Sequence, residues 1–186
     1  MKRAFDLLLT VPALLLLIVP MAIVALAVKL TSRGPALYWS DRVGRNNTIF
    51  RMPKFRSMRI DTPAVATHLL KDPSTWLTPI GAFLRKSSLD ELPQLWNILI
   101  GDMSIVGPRP ALFNQDDLIE LRTQAGVHQL RPGLTGWAQI NGRDEIPIPQ
   151  KVKLDTEYLQ RQSLLFDVEI ILRTAFRVAL RKDVSH

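Results

Sequence analysis

The chain of 186 residues contains no cysteine. That excludes a disulfide framework, a cysteine nucleophile and a thiolate zinc site, and it fits a reducing compartment. Histidine is scarce. His68, His128 and His186 lie far apart, show no metal-ligand spacing and are given no role. No internal repeat, low-complexity tract or nucleic-acid motif is found, and the length fits one domain. Negative charge is in deficit, with 17 acids against 24 Lys and Arg and a net charge of +7. Such a balance calls for an anionic partner: nucleic acid, anionic lipid or a phosphorylated substrate. Nucleic acid is disfavoured, because the basic residues are spread along the chain. They gather at Lys2, Arg3, Lys29 and Arg33, and again at Arg173, Arg177, Arg181 and Lys182.

What the chain has instead is one long uncharged run, residues 7–28. At about 1.5 Å per residue a straight helix of that length crosses a bilayer core. A cleaved signal peptide would use Lys2-Arg3 as its basic start, but Asp6 stands at the beginning of the run and Pro20 near its centre. A plain transmembrane helix meets a charge conflict: Lys2-Arg3 before the run and Lys29, Arg33, Arg42 and Arg45 after it all favour the cytoplasmic side. A helix that enters and leaves on one face resolves this, with Pro20 as the break. Pro12 belongs either to the entry turn or to a second bend.

The chemistry concentrates in Ser88 to Pro110, where the adjacent acids Asp90-Glu91 precede a Gly107-Pro108-Arg109-Pro110 turn. A carboxylate can attack a phosphoryl group, and a cation or arginine must then offset its repulsion of a diphosphate. Ser88-x-x-Glu91 also fits a capping box at a helix start. The two readings are compatible. A helix N-terminus lowers a carboxylate's pKa, which leaves Asp90 ionised and ready to attack. Successive residues on a helix point about 100° apart, so Asp90 and Glu91 have separate tasks. Pro93 keeps the helix start close to the acids.

These residues resemble the monotopic phosphoglycosyl transferases, a family of bacterial sugar transferases that start glycan assembly on a polyprenyl phosphate. The resemblance covers nearly the whole chain in family order. It runs from Lys2-Arg3-Ala4-Phe5-Asp6 through Ser32-Arg33-Gly34-Pro35, Asp41-Arg42-Val43-Gly44 and Lys54-Phe55-Arg56-Ser57-Met58 to Leu89-Asp90-Glu91-Leu92-Pro93-Gln94. It continues with Gly101-Asp102-Met103-Ser104, Gly107-Pro108-Arg109-Pro110, Arg131-Pro132-Gly133-Leu134-Thr135-Gly136-Trp137-Ala138-Gln139 and Leu154-Asp155-x-x-Tyr158.

The resemblance implies a re-entrant membrane helix and a two-step reaction at the cytoplasmic face of the bacterial inner membrane. Asp90 attacks the β-phosphate of a nucleotide-diphosphate sugar, most often uridine-linked. A polyprenyl phosphate then takes the sugar phosphate from Asp90. Mg²⁺ is implied as cofactor, held by Asp90 and Glu91, and Glu91 either binds the ion or handles the acceptor's proton. Family members often carry a small polar residue before the central proline, where this chain has Val19. The extra N-terminal membrane helices of larger relatives are lacking, so a minimal catalytic unit is expected.

Arg109, stiffened by two prolines, is the first candidate to grip phosphate, with pairing to Asp102 or Glu91 as the structural alternative. Lys54 and Arg56 alternate in an extended piece, so both project to one face as phosphate ligands or as a solvated face. Arg131, Gly133 and Thr135 resemble the family's region near the nucleotide; glycine there serves either ligand approach or a turn. Asp155 and Tyr158 share one helix face, in a structural bond or in the site. Two other classes are weighed. A basic membrane adaptor does not explain the acids. A glycosidase needs carboxylates about 5–9 Å apart across a sugar, which adjacent residues fit poorly.

The fold expected is mainly α with a small β-hairpin: a monotopic membrane protein with an N-terminal helix-break-helix over residues 1–33, a catalytic unit over 34–186 and interfacial amphipathic helices. The hairpin spans residues 35–60, with a turn at Asp41 to Asn47, and residues 61–79 form a surface excursion. Short helices are expected over Ile80–Lys86, Phe113–Ala125 and Lys151–Gln160, and an ordered loop over Leu130–Asn141. Leu164–Leu180 is an amphipathic helix that lies on lipid or packs on the core. Trp39, Trp76, Trp96 and Trp137 are interface anchors or core residues. The sugar is not encoded in any readable motif, and a homodimer stays open.

Overall fold

The structure is a computed structural model that describes residues 1–63, 72–142 and 146–179. His68, Arg181, Lys182, His186 and parts of the 61–79 excursion lie outside the described residues.

The uncharged run forms α1, Lys2–Thr31. Its helical backbone continues through Pro12 and Pro20, so the break expected at Pro20 is not an interruption of the helix. Proline removes one backbone bond and crowds the preceding turn, which bends a helix without having to end it. One face of α1 packs along the rest of the chain. Asp6, Thr10 and Val28 are buried. Ala13, Leu14 and Leu17 meet a cluster of Phe50, Met52, Leu95, Ile98 and Met103. Met21, Val24 and Ala25 meet Phe55 and Leu84. These positions recur every three or four residues, the spacing of one helical stripe. The opposite face leaves Leu8, Leu15, Leu16, Val19, Ile23 and Leu26 exposed.

The hairpin is present as expected. Strand β1, Leu37–Val43, pairs antiparallel with β2, Ile49–Phe55, in a register that sets Leu37 against Phe55 and Val43 against Ile49. Asn46 and Asn47 make the turn at φ of 54° and 60°, a region that Asn tolerates better than most residues. Helix α2, Gly81–Lys86, and a 3₁₀ turn over Leu89–Gln94 lead into α3, Leu95–Ile100. Next come β3, Ser104–Val106, α4, Asp116–Gln124, and β4, Gly133–Thr135.

β3 and β4 pair in parallel, and a short helix, α5, Trp137–Ile140, follows. The segment read as an ordered loop therefore holds a strand and a helical turn. Gly107 and Gly133 permit this close pairing, since a Cβ on Gly133 would lie 2.1 Å from the Gly107 nitrogen. Helices α6, Ile148–Arg161, and α7, Leu164–Ala179, complete the described chain. Trp137, Tyr158, Phe166 and Ile170 pack around Val106. Leu165, Leu172 and Phe176 on α7 face outward, as does Trp96 on α3, whereas Trp137 is core.

Candidate active site

The 3₁₀ turn that carries the acids begins at Ser88, whose φ of 57° is left-handed. The capping box does not form. Ser88 makes no side-chain cap, and the Glu91 carboxylate turns instead to a tertiary partner: its Oε1 accepts from Lys54 Nζ at 2.8 Å and lies 3.4 Å from Arg109 Nη2. The structure thus brings Lys54 from β2, Glu91 from the 3₁₀ turn and Arg109 from the turn after β3 into one cluster. In this position the Glu91 carboxylate faces two full positive charges, Lys54 and Arg109, rather than one backbone N–H.

Asp90 is 6% exposed, and its Oδ1 has no hydrogen-bond partner among the described residues. Burial pushes its pKa up to about 6, with the Glu91 charge adding to the rise and Lys54, Arg85 and Arg109 opposing it. The expectation that a helix start lowers this pKa is corrected: desolvation outweighs the dipole of a single 3₁₀ turn. At neutral pH the group is still mostly ionised. Three cations thus act on two carboxylates, a balance suited to an incoming anion.

Arg85 was missed from the sequence. It reads there as one of the basic residues of a short amphipathic helix, yet Asp90, Glu91 and Arg109 all act on its charge while burial lowers its pKa. The signal available was its place five residues before Asp90, about one turn of chain upstream.

The remaining candidates lie elsewhere in the fold. Arg56 does not join Lys54. It follows the last residue of β2, where strand alternation ends, and its guanidinium donates to Ser32 O, Ser32 Oγ and Pro35 O at 3.1, 2.9 and 2.7 Å. Asp155 is buried and accepts from Arg122 Nε and Nη2 at 2.9 and 2.6 Å. Arg122 Nη1 donates to the Arg109 carbonyl at 2.8 Å, so Asp155 reaches the cluster only through Arg122 and backbone. Gly133 donates its N–H to Pro108 O at 2.8 Å and braces the Arg109 turn. The Thr135 hydroxyl pairs with Thr174 on α7, and Arg131 precedes β4. Tyr158, one turn from Asp155, belongs to a separate network with Lys2 and Asp167. Arg109 also lines a recess with Gly44, Asn47, Ile119, Arg122 and His128.

Among the described residues no three His, Cys, Asp or Glu side chains converge as a metal cage. Asp90 and Glu91 alone suit Mg²⁺, which is usually held by one or two carboxylates together with substrate phosphates.

Comparison with known proteins follows the same outline. The chain is 43% identical, over 95% of its length, to an undecaprenyl-phosphate glucose phosphotransferase of Komagataeibacter xylinus, of which it covers 35%. It is 40% identical, over 98% of its length, to a UDP-glucose:undecaprenyl-phosphate glucose-1-phosphate transferase of Escherichia coli K12, of which it covers 41%. Against the exopolysaccharide production protein ExoY of Rhizobium meliloti it is 40% identical over 97% of its length and covers 86% of that protein. Residues 1–181 match the family described as bacterial sugar transferase, and the chain belongs to that family.

Proposed function

We propose that this chain is the catalytic unit of a phosphoglycosyl transferase that moves a sugar-1-phosphate from a nucleotide-diphosphate sugar, a UDP-sugar by preference, to a polyprenyl phosphate. The observation that carries this reading is the buried Asp90, with an unpartnered oxygen, set among Lys54, Arg85, Arg109 and Glu91. Relatives named as transferases to undecaprenyl phosphate support the acceptor class.

The Asp90 carboxylate forms a bond to the donor's β-phosphorus. The bond from that phosphorus to the bridging oxygen breaks, and the nucleoside monophosphate leaves with the electron pair. An oxygen of the polyprenyl phosphate then attacks the same phosphorus, the aspartyl P–O bond breaks, and Asp90 is regenerated as a carboxylate. Arg109 grips the donor's phosphate oxygens, and Lys54 holds Glu91 beside the reacting group. Asp90 and Glu91 are the residues that would hold Mg²⁺, which would neutralise the charge of the diphosphate. Glu91 either completes that ion's shell or takes a proton from the acceptor.

The membrane reading is monotopic, at the cytoplasmic face of the bacterial inner membrane. One stripe of α1 packs on the rest of the chain from Asp6 to Val28. A helix that left the domain to span the bilayer would have no such stripe. Shallow seating keeps Asp90 at headgroup level, where the acceptor's phosphate arrives by diffusion in two dimensions. A homodimer is compatible with this seating.

The test supplies purified protein with Mg²⁺, a panel of nucleotide sugars and undecaprenyl phosphate. Release of nucleoside monophosphate together with a lipid diphosphate sugar is the expected result. Release of free sugar, or repeated turnover of the donor without lipid beyond one equivalent of nucleoside monophosphate per protein, would contradict the reading.

A further inference from the structure

The membrane helix is bonded to each of the three segments that build the site. Near its start, Asp6 Oδ1 accepts from Ser104 Oγ at 2.9 Å and from the Ile105 N–H at 3.1 Å, on the strand that runs into the Arg109 turn. One turn earlier, Arg3 donates to the carbonyls of Ile98 and Leu99 at the end of α3, the helix that continues from Asp90 and Glu91. Beyond its far end, Ser32 accepts from Arg56, at the end of the strand that carries Lys54. Asp6 is 1% exposed in a helix that carries no other charge from residue 7 to 28. Such a group is costly to bury unless it is hydrogen-bonded, and Oδ1 accepts both of the bonds named above.

The strand β3 is held at both ends. Asp6 takes Ser104 and Ile105. At the other end the Tyr158 hydroxyl lies 3.2 Å from Val106 O while donating to Asp167 Oδ1 at 2.6 Å, and Lys2 of α1 bridges to the same Asp167 at 2.6 Å. Three residues past Val106, the Arg109 carbonyl is fixed by Arg122. The path from Asp6 to the Arg109 backbone is therefore one short strand with no free length.

We propose that Asp6 is a positioning residue: by fixing Ser104 and Ile105 it couples the seating of the membrane helix to the placement of Arg109 opposite Glu91. This rests on the phosphoryl-transfer reading for its kinetic consequence, but not for its structural one. A displacement of about 1 Å at a gripping group is enough to cost about 100-fold in rate.

The experiment has two arms on detergent-solubilised protein. Amide hydrogen exchange compares wild type with Asp6→Ala. Faster exchange is expected at Gly107 and Gly133, whose N–H groups are not bonded to Asp6, with β1 and β2 unchanged. The kinetic arm measures kcat/KM for the donor in wild type, Asp6→Ala, Asp6→Asn, Arg109→Lys and the Asp6→Ala/Arg109→Lys double variant. Asp6→Ala is expected to lose roughly tenfold or more, Asp6→Asn to retain most activity because its Oδ1 still accepts, and the Asp6 loss to shrink in the Arg109→Lys background. Unchanged exchange at Gly107 and Gly133, or losses that multiply in the double variant, would overturn the proposal. Should Asp6→Ala fail to fold, Ser104→Ala removes one of the two bonds and is held to the same criteria at smaller amplitude. A wild type without transferase activity would refute the functional reading and leave the exchange arm to decide the coupling.

Discussion

Lys54 and Glu91 stand 37 positions apart in sequence and meet at 2.8 Å across the strand β2 and the 3₁₀ turn that holds Asp90. The contact ties the end of the hairpin's second strand, away from the turn, to the acids. It also places a cation where it lowers the pKa of Asp90 against the rise that burial causes.

The first prediction is a pH profile. In the proposed mechanism Asp90 attacks as a carboxylate, and burial pushes its pKa up to about 6. Donor-dependent turnover should therefore fall on the acid side with a midpoint near that value. Lys54→Met removes the strongest lowering influence on Asp90, so the acid limb should move to higher pH. Initial rates from pH 5 to 8 check both; a limb that stays put in Lys54→Met would separate Lys54 from Asp90.

Asp90→Asn should abolish transfer and stabilise the fold. The folded pKa lies above the ordinary 3.8, so the folded state binds the proton more tightly than the unfolded state does. The ionised carboxylate costs stability above pH 6, on the order of 3 kcal/mol for a rise of about two units, and nothing below about pH 4. Denaturant unfolding should show Asp90→Asn more stable than wild type at pH 7.5, with the difference closing as the pH falls through 6 towards 4.

Removing either half of the Arg122–Asp155 pair should be severe. Both side chains are buried, with the carboxylate bonded twice to the guanidinium. Asp155→Ala or Arg122→Ala leaves a buried charge unpaired and should lose about 3–5 kcal/mol, whereas replacing both by apolar residues should lose much less. The Arg109 turn loses a brace in the Arg122 variants, so activity should fall further than stability alone predicts. A double-mutant cycle by chemical denaturation is the check.

The absence of native cysteine makes the membrane topology directly testable. Ala4→Cys and Arg33→Cys place single thiols at exposed positions beyond the two ends of the apolar run. In sealed, oriented vesicles both should react with an impermeant maleimide from the same side. Opposite sidedness would make α1 a span.

The hairpin was legible because its signals are local, two extended pieces around a polar turn, although the turn read over Asp41–Asn47 is shorter: Asp41–Val43 belong to β1. The pairing of β3 with β4 was not, because each strand has three residues and the partners lie about thirty positions apart, so no window contains the pattern. Asp90, Glu91, Lys54 and Arg109 were all named from sequence, and the fold gathers them. Arg56 was grouped with Lys54 by strand alternation, but its guanidinium is taken by Ser32 and Pro35 just beyond the end of α1, contacts too distant in sequence to be read. Glu91 was read as a cap because its best partner, Lys54, is distant in sequence. The direction of the Asp90 pKa was misjudged for the same reason: burial is a tertiary property, and the local helix start argues the opposite sign.

The most direct measurement is the intact mass of the protein after mixing it with Mg²⁺ and UDP-sugars in the absence of lipid acceptor. A gain equal to one sugar phosphate, lost in Asp90→Asn and discharged when polyprenyl phosphate is added, is the predicted result. Acceptor-dependent release of UMP with no adduct from any donor would mean direct transfer, and Asp90 would not be the nucleophile.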